Sequence, residues 1–297
     1  MSSLVRPAIA LLRAPATELC FALRAAVRWS RGAPRRDTLA SAPTFAWAPE
    51  PIRSSLQRRA DALNASSDLA ARIRDLAPEV RARNYARLEQ LERLSRGIRV
   101  PSSAGGLVRA ADLGAGDFHY AGALACWLST ACAVEGPRVD LRAFELDGHG
   151  IYRDGHARCD HGRAHAAAAS CASVDVGYAV ADATRLSLKD LDVVSLFFPF
   201  LTTYACIEWG APLSRSRPKK MLAAAVRALR PGGWLVVANQ TTEEYLRTQR
   251  LLERLPVTRI TRRSFATDLA PEAPRTAGQI GSVWQRHEGV PSGALIG

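Results

Sequence analysis

From residue 105 onward, short apolar runs alternate with longer stretches of helical period. The runs at 107–112, 139–145, 176–181, 192–198 and 233–239 have the length and composition of strands. The stretches at about 120–133, 149–170, 216–229 and 242–254 read as helices. Such alternation predicts a parallel sheet covered on both faces. Two further strand-like runs, about 257–266 and 280–287, have no helical stretch between them and read as a terminal antiparallel hairpin. The expected fold class is α/β: a doubly wound, mostly parallel seven-stranded sheet with that hairpin at its end, plus an α-helical N-terminal extension.

The extension covers residues 1–100. Residues 56–97 read as helical. Within them PEVRARNYARLEQLERLSRG opens on Pro78 and Glu79 and stops at Gly97, a suitable residue just past a helix end. Glu89–Arg93 and Glu92–Arg96 are i,i+4 pairs expected on its wet side. Residues 33–55 are rich in Pro, Ala and Ser and read as a linker or irregular wrap. Residues 1–36 form a basic amphipathic segment, with seven Arg against the single acid Glu18. Thr17 is expected to cap a helix running to about Ser30, which places Arg24, Arg28 and Arg31 on one stripe. Such a helix fits packing on its own domain, a membrane surface, or targeting. PSSAGG (101–106) marks a break, and the main domain is expected over 105–290.

Composition adds limits. At 297 residues and 47% hydrophobic content, the chain can bury a sizeable core. The formal net charge of +12 is unevenly spread. Residues 1–110 carry net +10, residues 111–200 net −5 and residues 201–297 net +7. Basic flanks therefore bracket a mildly acidic centre. The six cysteines are scattered without a CxxC pair and read as reduced and mostly buried, which fits a reducing, cytoplasmic setting. No apolar run is long enough to span a membrane.

The chemistry starts at ADLGAGDFHYAG, residues 111–122. Gly114 and Gly116 let the chain turn sharply after the first strand and let a ligand approach backbone. The helix that follows offers unpaired N–H groups to a negative group. RAFELDG ends the second strand on Glu145, where a carboxylate can accept two hydrogen bonds from a ribose diol. YAVADATRL places Asp182 at the end of the third strand, within reach of an exocyclic amine. Each acid alone reads more readily as a surface residue or helix cap. Three suited groups at three consecutive strand ends point to a nucleoside-bearing cofactor.

With AAAVRALRPGGWLVVANQT added, the region from about 105 to 287 resembles the class I S-adenosylmethionine-dependent methyltransferases. The matching pieces are DLGAGDF, FELD, VADATRL, LRPGGWLVV and the closing hairpin, together roughly 60% of the chain. The resemblance implies a Rossmann-like domain with S-adenosyl-L-methionine as cofactor. By it, Asp112, Gly114, Gly116 and Asp117 lie under the methionine part. Glu145 binds the ribose hydroxyls, with Asp147 a second candidate, and Asp182 and Ala183 hold the adenine edge. Phe118 departs from the commonest pattern. A dinucleotide-binding oxidoreductase fits less well, because its G-x-G-x-x-G pattern needs glycine where His119 stands.

At the fourth strand end, SLFFPFLTTYACIEWG keeps only Pro199–Phe200 of the Asn/Asp-Pro-Pro-Tyr/Phe motif that the family uses on amide or adenine nitrogens. Phe197 stands where that motif has its polar residue. Phe198 and Phe200 are candidates for an apolar substrate wall, or for core. Candidate bases near the mouth are His119, Tyr120, Tyr204 and Glu208, with His119 first because it opens the helix after the glycine turn. A small-molecule acceptor is favoured, an RNA acceptor is the alternative suggested by the basic flanks, and a non-catalytic module of the same fold is a third reading. ELDGHGIYRDGHARCDHGRAH holds His149, His156, His161 and His165. His161 and His165 share a helix face, as zinc ligands do. Arg153, Arg158 and Arg163 in the same stretch disfavour a cation, so no metal is assigned; a substrate-facing helix and a solvated surface remain.

Overall fold

The computed structural model describes residues 5–34, 42–103, 105–199, 201–202, 206, 210–272 and 276–288, with backbone only for 5–12. The expected positions Phe200, Tyr204 and Glu208 lie outside the described residues. The extension contributes α1 (Val5–Val27), α2 (Ile52–Ala65), α3 (Leu69–Ile73) and α4 (Pro78–Leu94). The sheet follows, with β1 (Leu107–Leu113), β2 (Arg138–Glu145), β3 (Val174–Val180), β4 (Leu191–Phe197), β5 (Leu229–Asn239), β6 (Val257–Ser264) and β7 (Ile280–Arg286). Between strands lie α5 (Ala121–Thr130), α6 (Arg158–Ala169), α7 (Pro218–Ala228) and α8 (Thr242–Leu252).

The strand order is β3-β2-β1-β4-β5-β7-β6. All neighbours are parallel except β7, which runs against both β5 and β6. The doubly wound sheet with its antiparallel hairpin is therefore as the sequence pattern requires. The apolar runs of β4 and β5 are buried along almost their whole length, because helices cover both faces. One face packs on α4, α5 and α6 through residues such as Leu88, Leu91, Leu124 and Val236. The other packs on α7 and α8 through Leu222, Val226 and Leu252. At the free edge, β6 reads VTRITRRS and exposes its arginines, which discourages pairing with another chain.

Four local expectations change. α1 starts well before Thr17, which sits inside the helix with its hydroxyl donating to the Arg13 carbonyl, 3.1 Å away. The 56–97 stretch breaks into three helices. α4 is mostly buried, and its expected i,i+4 pairs do not form: Glu89 pairs with Arg59 of α2, and Arg93 donates to the Ala266 carbonyl. The helix expected over 149–170 begins only at Arg158. Before it, residues 151–157 fold into a tight loop closed by Ile151 pairing Ala157, with Gly155 at φ +81.

Candidate functional site

The sheet reverses direction of winding between β1 and β4, and in such sheets ligands bind at the strand ends beside that point. β1 ends in the loop 114–120. Gly114 (φ +77) and Gly116 (φ +60) both adopt left-handed backbone, and a Cβ placed on either meets nothing within 4 Å. There is open space over the loop at both positions. The loop is anchored from two sides. Glu145, at the end of β2, accepts the Gly116 N–H through Oε2 (2.8 Å) and the Asp147 N–H through Oε1 (2.8 Å). Tyr178 of β3 donates its hydroxyl to the Gly116 carbonyl (2.6 Å). Strand order, a single reversed strand and a glycine loop at the switch point together decide the architecture. This is the class I methyltransferase fold.

Phe118 answers to the same loop. It sits at φ +54, strained for a bulky residue, and is fully buried. Its ring packs edge-on against Tyr120, centroids 5.5 Å apart, and near Tyr178. In this methyltransferase fold the side chain is thus a core plug that pins the loop from below. Phe198, just past β4, is a second strained residue at φ +57. Strain at the ends of both central strands marks positions held by their surroundings rather than chosen by the chain.

Asp112 is completely buried. It accepts hydrogen bonds from Tyr120 Oη (2.7 Å) and Ser195 Oγ (2.5 Å). Burial pushes its carboxyl up to about 6, against the pull of those donors and of Arg87. Tyr120 does not have the geometry of a base. It is buried, its hydroxyl is committed to Asp112, and burial with that neighbouring carboxylate drives its own titration far upward. Asp117, expected at the cofactor, is engaged by two histidines. Its Oδ1 lies 2.7 Å from His119 Nδ1, and its carbonyl accepts from His165 Nδ1 at 2.8 Å. Burial raises the Asp117 carboxyl, but the His119 and His165 imidazoles outweigh it and hold the group well below the usual range. Asp182 caps the short 3-10 turn 183–185 by accepting the N–H and hydroxyl of Thr184.

A cleft of about 690 Å³ lies beside these strand ends, bounded by Leu146, Asp147, Ala181 and Asp182. Its far wall is α1, through Phe21 and Ala25. The helix is fastened there by Arg24, which grips both oxygens of Asp147 (3.0 and 2.8 Å), and by Glu18, which accepts from Ser214. Sequence reasoning missed this, because an Arg stripe on a helix carries no sign of its partner. Arg24→Ala is expected to cost about 1 kcal/mol of global stability, as a partly buried pair. It should still speed chymotryptic cleavage beside Phe21 and Trp29; an unchanged rate would mean that α1 is held by other contacts. A smaller cleft of about 420 Å³ by Arg262 and Gln279 lies at the hairpin edge, away from the glycine loop.

Beside the end of β4 stands a residue that no sequence pattern marks. Arg87 of α4 is buried among the rings of Phe197 (4.4 Å), Tyr120 (5.0 Å), Phe265 (5.1 Å) and Phe198 (5.2 Å). Its Nε and Nη1 have no acceptor among the described residues. Burial lowers it to about 10. The side chain remains a cation at neutral pH, held by ring faces instead of carboxylates.

Gly162 of α6 matters through Tyr178. A Cβ there would sit 2.4–2.7 Å from the Tyr178 ring. Gly162→Ala should destabilise by about 1–3 kcal/mol from overpacking. It should also loosen the glycine loop, since the displaced hydroxyl no longer holds Gly116. Urea unfolding and amide hydrogen exchange at Gly116 would check both.

No protein-family model and no curated protein matches this sequence. Solved structures do resemble it. TrmN from Thermus thermophilus is 18% identical with a TM-score of 0.44, over 67% of this chain and 48% of that one. This chain therefore spans about half the length of TrmN. A TehB-like SAM-dependent methyltransferase from Corynebacterium glutamicum is 16% identical with a TM-score of 0.40, over 78% and 98% of the two chains. A geranyl diphosphate methyltransferase, solved with GPP and sinefungin, is 10% identical with a TM-score of 0.43, over 67% and 77%. The likeness is one of fold. No helix among the described residues is long and apolar enough to cross a membrane.

Proposed function

We propose that the protein is an S-adenosylmethionine-dependent methyltransferase acting on a small acceptor with an apolar body and an anionic group. The observation that carries the reading is the open glycine loop at the switch point, braced by Glu145 and joined through Tyr178 to the wall of the cleft. The residues present fit the cofactor. Gly114 and Gly116 leave room for its methionine part, and Asp112 offers a buried carboxylate toward that end. Glu145 keeps spare lone pairs for the ribose, and Asp182 with Ala183 borders the adenine. The cofactor supplies a methyl group already activated on a sulfonium; the protein's task is alignment and exclusion of water. α1 acts as the lid.

His119 is the base of this reading. Asp117 holds its Nδ1 side, which leaves Nε2 to take a proton. Arg87 sets the acceptor class. A buried guanidinium with unsatisfied N–H groups is costly unless a ligand's anion completes it. The surrounding rings suit an apolar body. RNA fits less well, because many of the arginines behind the basic flanks are spent internally. Arg59 pairs with Glu89, Arg72 with Asp68, Arg83 with Glu272 and Arg230 with Asp192.

The test is transfer of labelled methyl from S-adenosylmethionine to a panel of small carboxylic acids and phosphates, with tRNA and total RNA alongside. Label is expected in small anionic acceptors and should fall about 100-fold in Arg87→Met, the loss typical of a buried charged contact. Label confined to RNA would favour the RNA reading. Cofactor binding without transfer to any acceptor would favour a non-catalytic module.

A further inference from the structure

The histidine-rich stretch before and within α6 takes no part in the proposed chemistry, yet three of its side chains converge. Asp154 and His156 lie on the tight loop 151–157, and His161 is in the first turn of α6. One ligand atom from each lies within 4.8 Å of the others. Gly155, at φ +81 between Asp154 and His156, reverses the chain so that both face His161. Asp154 Oδ1 accepts the His156 N–H at 3.0 Å, which fixes the carboxylate and leaves Oδ2 toward the rings. Oδ2 is 2.9 Å from His161 Nε2 and 3.5 Å from His156 Nδ1.

Those two nitrogens are buried and have no hydrogen-bond partner among the described residues. The 2.9 Å approach of Oδ2 to His161 Nε2 has the length of an ion pair. The same approach also suits two ligands of one ion. In a chelate each lone pair points at the metal, not at the neighbouring ligand. Tetrahedral bonds of about 2.0–2.1 Å put ligand atoms roughly 3.3 Å apart, and the observed separations straddle that value.

The arginines that argued against a cation in the sequence mostly face elsewhere. Arg158 is directed to Glu145 and Asp147, and Arg163 lines the cofactor cleft. Arg31 reaches this loop only through the Asp154 carbonyl, at 3.4 Å. His165, expected to pair with His161, instead binds the Asp117 carbonyl.

We propose that Asp154, His156 and His161 form a divalent transition-metal site of two histidines and one carboxylate, suited to Zn²⁺ with water in the fourth position. Its role is structural. It ties the 151–157 loop to the helix that carries Arg158 against Glu145. The same loop receives α1, since Trp29 Nε1 donates to the Gly155 carbonyl at 3.2 Å.

The test uses full-length, tag-free protein stripped with a chelator. Zn²⁺ is titrated by calorimetry and Co²⁺ is followed by visible absorption. We expect one ion per chain and an intense tetrahedral Co²⁺ band that Zn²⁺ abolishes. His156→Gln, His161→Gln and Asp154→Asn should each weaken binding by more than the roughly 10–100-fold typical of losing a mere supporting contact. His149→Gln should bind as the parent does, because that ring meets the Trp29 carbonyl instead. Circular dichroism checks each fold; Asp154, on the exposed loop, keeps the test valid if a histidine variant fails to fold. No binding by folded parent protein, or binding undisturbed in the three variants, would overturn the site. Either result leaves the cofactor reading to its own titration, which needs no metal.

Discussion

Glu145→Ala is expected to lower affinity for S-adenosylhomocysteine by about 100-fold or more, equivalent to roughly 2.8 kcal/mol. Two losses combine. The carboxylate proposed to meet the ribose is gone, and the Gly116 and Asp147 N–H groups lose their charged acceptor. Each hydrogen bond to a charged group contributes about 1.5–3 kcal/mol. Part of the loss should therefore appear as stability, about 1–3 kcal/mol by urea unfolding, even without ligand. Glu145→Gln separates the two: its amide oxygen can still receive one N–H, so stability should recover more than affinity does. Equal affinity in parent and Ala variant would contradict the assignment of the ribose site.

Asp112→Asn is expected to change the pH dependence of stability. The folded protein holds the Asp112 carboxyl at about 6, chiefly by burial, above the ordinary value near 3.9. A carboxyl raised on folding binds its proton more tightly in the native state. Its contribution is fully present below about pH 4 and is lost as pH rises through about 6. The roughly two-unit rise corresponds to about 3 kcal/mol. The parent protein should lose that amount between about pH 4 and 7 from this one group, and the Asn variant should not. At pH 7 the variant should therefore match or exceed the parent in stability while binding the cofactor more weakly. Parallel pH profiles would show that burial does not raise the Asp112 carboxyl.

Stability given up at a buried carboxylate is what a binding site looks like when its ligand is left out of the account. Arg87 belongs to the same pattern. Its guanidinium helps hold Asp112 ionised, yet it lacks acceptors of its own.

The strands were legible because burial on both faces writes itself as short apolar runs between turns. DLGAG and FELD stood at strand ends, where backbone geometry alone brings side chains toward a common edge. What was not legible depended on partners distant in sequence. Arg24 and Asp147 are 123 residues apart, and nothing on α1 announces that pairing. Arg87 reads as a wet residue of a charged helix until β4 and the end of β6 close over it with aromatic rings. Asp117 ends the DLGAGD motif, and nothing in that motif shows that His119, two residues on, meets its carboxylate. The 149–170 stretch has a helical composition in its alanine-rich half only. Asp154–Gly155 breaks the first half, and that break is what turns Asp154 and His156 toward His161.

The most direct measurement is calorimetric titration of the full chain with S-adenosylhomocysteine, paired with thermal unfolding in its presence. The account predicts saturable binding at one site per chain and a rise in unfolding temperature that grows with ligand concentration. A folded protein that gives neither heat nor any shift in unfolding temperature would contradict it.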